Sequence, residues 1–134
     1  MRTAPASHGH RWRREPYRVL FPLGAALGIF AVLPFAWRSA SGASLALFHS
    51  VAQIQGFLTC FVAGFLMTLV PRHTRTTPAA GWEVVAAAVL PTVAVLAAWM
   101  GDPTAASWLW LALLFVVMGF TASRLRARPA SLRL

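Results

Sequence analysis

Two polar side chains one helical turn apart, His49 and Gln53, interrupt a long apolar run and are the first place to look for chemistry. Polar groups inside such a run cost free energy unless they are paired or used. An imidazole one to two turns from a membrane surface can ligate a haem iron or another metal through one ring nitrogen, with the Gln53 amide bonding nearby. The same two residues can instead hydrogen-bond across to a neighbouring helix. The residues alone leave both readings open. At about 100° per residue, His49, Gln53, Gly56, Cys60, Gly64 and Met67 share one stripe, while Phe57, Leu58, Phe61, Phe65 and Leu66 point elsewhere. Met67 lies about 27 Å along the axis from His49, too far to share one metal, and reads as packing. Gly56, Cys60 and Gly64 repeat at four-residue spacing, the small-residue ladder that admits a closely approaching helix.

The other ionisable groups sit at the edges of the apolar runs. His73 lies between Arg72 and Arg75 and reads as a solvated interfacial residue. His8 and His10 form a His-x-His pair in the N-terminal arm, a spacing that binds divalent metal weakly and is usually incidental. Glu83, one turn into the third run beside Trp82, is shallow enough to be hydrated or to pair with a loop arginine. Asp102 serves the turn Gly101-Asp102-Pro103. No acid lies deep in any run, which argues against a proton-coupled small multidrug transporter, and a catalytic triad, phosphate loop or paired carboxylate is absent, which argues against an enzyme.

These residues must be positioned by membrane helices. Of 134 residues 58% are hydrophobic and only 11% charged, and the mean hydropathy is +0.64, too apolar for a water-soluble domain of this size. The sequence predicts an all-α fold of four transmembrane helices, over about 17–37, 43–70, 81–100 and 104–123. A basic arm, residues 1–15, is expected to be disordered, and a basic tail covers 124–134. The second run exceeds what the hydrocarbon layer needs and should tilt or project, with Pro71 and the basic Arg72-His73-Thr74-Arg75 stopping it; Pro91 should kink the third. The first run is read as an anchor, being longer than a signal-peptide core.

The net charge of +9 comes from twelve arginines and no lysine against three acids. Eleven of the arginines fall on the side of the two termini and only Arg38 on the other, so the positive-inside rule places both ends in the cytoplasm. Trp37, Trp99 and Trp108 then fall near the outer interface and Trp82 near the inner one, where indoles prefer to sit. Arginines interleaved with membrane spans do not read as a nucleic-acid surface. The partners implied are the bilayer itself and a homo-oligomer or larger membrane complex. The single cysteine, Cys60, allows no intramolecular disulfide.

Pro16-Tyr17-Arg18 with Phe21-Pro22-Leu23-Gly24, then Gly56-Phe57, Gly64-Phe65-Leu66, Thr68 and Val70-Pro71, resemble the opening of the NnrS family, haem- and copper-containing bacterial membrane proteins linked to the nitric oxide response. The family's second helix carries an aromatic-His-Ala-His-Glu-Met motif followed by Gly-Phe and Gly-Phe-Leu-Leu-Thr-Ala-Val-Pro. In that register Phe48 and His49 match the aromatic residue and the first histidine, but Val51 and Ala52 replace the second histidine and the glutamate. The resemblance covers roughly residues 16–75 and corresponds to the N-terminal third of a protein of around twelve spans. It implies a multi-pass protein of the bacterial inner membrane, with haem held through His49 and copper retention disfavoured. A six-coordinate haem would need a ligand from a symmetric neighbour or a partner chain. The rival reading is a non-catalytic small membrane subunit docking on a larger complex through the Gly56-Cys60-Gly64 face.

Overall fold

The computed structural model describes residues 11–37 and 43–127, and these are helical throughout apart from short connections. A one-turn helix α1 (Arg11–Arg14) precedes α2 (Tyr17–Trp37). The second span is built of α3 (Ala43–Val51), a π-helical segment (Ala52–Leu58) and α4 (Thr59–Thr74) without a break, followed by α5 (Gly81–Trp99) and α6 (Pro103–Arg126). Four stretches are long and apolar enough to cross a membrane: Tyr17–Ala36, Leu45–Thr74, Gly81–Trp99 and Pro103–Arg126. The all-α, four-span fold is therefore as the sequence predicts, and among the described residues there is no strand.

Several boundaries differ for local reasons. The second span runs on through Pro71 and stops at the end of the basic stretch Arg72-His73-Thr74-Arg75. The Pro71 carbonyl takes the N–H groups of Arg75 and Thr76, and the helix stops at Arg75, whose φ of 55° turns the chain into the left-handed region. Of the basic arm, residues 11–15 make contacts with the bundle: Arg13 Nε donates to the Ala79 carbonyl at 3.4 Å, and Glu15 pairs with Arg18 and Arg72. The rest of the arm, residues 1–10, and Arg38 lie outside the described residues. α6 carries Arg124 and Arg126 in its last turn, so the basic tail begins inside the helix. Asp102 caps α6, its carboxylate accepting from the Ala105 N–H at 2.8 Å with Pro103 in the first helical position.

Two layers of side chains fill the bundle. Toward the end where α2 begins and α6 finishes, Leu20, Met67, Val84, Leu113 and Phe120 bring all four spans together. Toward the opposite end Leu27, Ala31, Phe48, Ala52, Cys60 and Val95 do the same for the first three. Large exposed residues such as Ile29, Phe65, Val85 and Phe115 face outward, as expected of helices whose solvent is lipid. Lipid tails are as apolar as leucine, so association depends on close packing rather than on the hydrophobic effect. The first and second spans achieve it through glycine: a Cβ at Gly24 would lie 2.9 Å from Cys60 Cβ and 3.1 Å from the Phe57 carbonyl, and one at Gly64 would lie 3.1 Å from Leu20 Cβ.

Candidate functional site

The π-helical segment decides which residues of the second span share a face. Each of its backbone bonds runs to the fifth residue back rather than the fourth, so one extra residue is accommodated and every later side chain is rotated backward. Gly56, the poorest helix former after proline, sits within it, and at its end the Thr59 hydroxyl donates to the Ile54 carbonyl at 2.6 Å. The Trp110 indole N–H in turn donates to that hydroxyl at 3.1 Å, tying the distorted segment to α6.

As a result the stripe read from a straight helix divides. Phe48, Ala52, Gly56 and Cys60, four residues apart, all face the bundle core. His49, Gln53, Phe57 and Phe61, also four apart, form a second line that is half-buried along the edge of α2. Phe57 and Phe61, placed away from His49 by a uniform 3.6-residue period, instead continue its line; their rings are 4.9 Å apart, and Phe61 stacks on Phe21 at 4.6 Å. Gly64 and Met67 are buried with the core line, Met67 as packing.

His49 and Gln53 each reach a backbone carbonyl of α2. His49 Nδ1 is 3.2 Å from the Ala31 oxygen, and Gln53 Nε2 donates to the Gly28 oxygen at 3.3 Å. A carbonyl can only accept, so His49 Nδ1 carries the proton in this bond, and in the neutral ring Nε2 is left with an open lone pair. The Phe35 ring meets the imidazole edge-on, with centroids 5.0 Å apart. One turn along, Gly28, Ile29, Val32, Leu33, Gln53 and Phe57 line, with Ala25, an apolar groove of about 490 Å³ between the two helices. The site thus combines one fixed imidazole with an adjoining apolar wall. Among the described residues no three His, Cys, Asp or Glu side chains converge as a metal-binding group.

The structure also places residues whose roles were not legible. Gly24 and Gly28, themselves a small-xxx-small pair in α2, receive Phe57, Cys60 and Phe61; the spacing was visible in the sequence and is the signal that pairs these helices. Glu83 is 6% exposed rather than hydrated. Its partner is not a loop arginine: both carboxylate oxygens accept from Arg124 in the last turn of α6, at 2.7 and 2.8 Å, and one also takes the Ala80 N–H at 2.6 Å. Gly56, Cys60 and Gly64 are buried within the chain, covered by Leu27 and Val95, by Gly24 and by Leu20 and Phe21, so the small-residue face read as a docking surface is packed against the chain's own spans.

Four apolar spans in one bundle define a multi-pass all-α membrane protein. Residues 11–133 match the family described as NnrS protein, and the chain belongs to the NnrS family. The match reaches beyond residues 16–75 to take in the third and fourth spans. No curated protein and no solved structure matches the chain significantly.

Proposed function

We propose that this protein is a haem-binding member of its family, working in the nitric oxide response or in respiratory metal physiology, with His49 as the axial ligand. The observation that carries the reading is the bond from His49 Nδ1 to the Ala31 carbonyl. Ligating imidazoles characteristically donate their second nitrogen to a carbonyl or carboxylate, which fixes the ring and directs the other lone pair outward. Gln53, anchored one turn away on Gly28, holds α2 and the second span in register, and the groove beside it offers the apolar surface that a porphyrin edge requires. Bound haem would supply an iron able to take a small diatomic ligand or exchange an electron. His73 lies at the other end of the span and would not share the group with His49; a further ligand, where one is needed, would be supplied by another copy or a partner chain.

The eleven-to-one arginine asymmetry supports cytoplasmic termini, which puts His49 near the outer face of the bacterial inner membrane. The small-residue ladder of the second span packs against the chain's own helices, which favours the haem reading over docking through that face. The test is the Soret absorption of detergent-purified protein. The band is expected in wild type and in Gln53→Ala and is expected to vanish in His49→Ala; a band that survives His49→Ala, with folding intact, refutes His49 as the ligand.

A further inference from the structure

At the end of the bundle where α2 begins and α6 finishes, a groove of about 440 Å³ opens between the end of α1 with Glu15 and the end of α4 with the segment that follows it. Arg14, Arg72 and Arg75 line it with Glu15, Thr68 and Thr76. Glu15 is the sole acid of this wall and is already engaged by Arg18 and Arg72, the latter at 3.3 Å. The side chains of Arg14 and Arg75 form no hydrogen bond or ion pair with any described residue. Three arginines thus line one opening with a single carboxylate among them. Guanidinium presents planar paired donors that match phosphate oxygens.

Arg75 adds an independent observation. It occupies the left-handed position that closes α4, with φ 55° and ψ 38°. Glycine takes this place at low cost, and asparagine sometimes does, whereas a long side chain is disfavoured there. Residues held in such sparsely populated backbone regions cluster at ligand clamps, and this one stands beside two further arginines. The groove lies where the apolar spans end, at headgroup depth, where basic pockets between helices bind anionic lipid.

We propose that this groove binds a phosphate group, that of an anionic phospholipid headgroup or of a soluble phosphate, between Arg14, Arg72 and Arg75. The site is independent of haem. Purified protein in phosphatidylcholine nanodiscs is supplied either with phosphatidylglycerol in the bilayer or with inorganic phosphate in the buffer, and bound lipid by native mass spectrometry and thermal unfolding are followed. Stabilisation by phosphatidylglycerol alone identifies a lipid headgroup; stabilisation by both probes identifies a site open to soluble phosphate. Arg72→Gln and Arg75→Gly are each expected to weaken binding about fivefold, whereas Arg126→Gln, outside the groove, changes it by less than about twofold. Arg75→Gly preserves the left-handed backbone and is expected to raise the unfolding temperature without anion, so its weaker binding cannot be a folding defect. Glu15→Gln removes the competing carboxylate and is expected to tighten binding. Absence of a response to either probe, or equal losses in Arg72→Gln, Arg75→Gly and Arg126→Gln, overturns the proposal.

Discussion

Replacing Glu83 by alanine is expected to destabilise the bundle by about 3–5 kcal/mol, the usual result of leaving one member of a buried ion pair without its partner. The side chains of Glu83 and Arg124 are only 8% and 11% exposed, and their two-pronged contact joins the start of α5 to the end of α6. Glu83 also satisfies the Ala80 N–H at the start of its helix, so the substitution removes a cap and a charge together. Arg124 would keep the Phe120 ring beneath its guanidinium, at 4.0 Å, and the Pro78 carbonyl at 3.4 Å, but neither neutralises it. The double variant Glu83→Ala/Arg124→Met leaves no uncompensated charge and is expected to be more stable than Glu83→Ala alone. Denaturant unfolding in detergent measures both; a double variant less stable than each single one contradicts the coupling.

Gly24→Val is expected to cost about 1–3 kcal/mol by overpacking the contact between the first two spans. The added carbons meet Cys60 Cβ and the Phe57 carbonyl, and a backbone oxygen inside a helix cannot give way as a flexible side chain can. Since the first span supplies the carbonyls that hold His49 and Gln53, the same variant should loosen the site. Gly119→Ala is the matched control: its Cβ would meet nothing within 4 Å, so helix propensity alone predicts a neutral or slightly stabilising change. Equal losses at the two glycines would show that close approach at Gly24 is not what holds the helices together.

The spans were legible because each is a run long enough to cross hydrocarbon and is bounded by charge, proline or glycine. His49 and Gln53 were legible for the complementary reason that polar groups stand out in an apolar run. The face they occupy was not. A π-helical segment leaves no local signature that separates it from an α-helix, so a straight projection put His49 on one stripe with Gly56 and Cys60 and turned Phe57 and Phe61 away. Glu83 and Arg124 are 41 residues apart, and only tertiary packing reveals that they meet. The small-residue ladder could be read as a close-packing surface, but whether its partner lay inside the chain or outside depended on α2. Gly24 and Gly28 carried that information at the matching spacing.

Haem content is the most direct measure of the central claim. Wild type is expressed with ample haem, purified in detergent and assayed by absorption and pyridine haemochrome. Stoichiometric haem is expected, held through a histidine whose other nitrogen is bonded to Ala31. Folded protein that stays colourless under these conditions would contradict the account and leave His49 and Gln53 as interhelical hydrogen bonds alone.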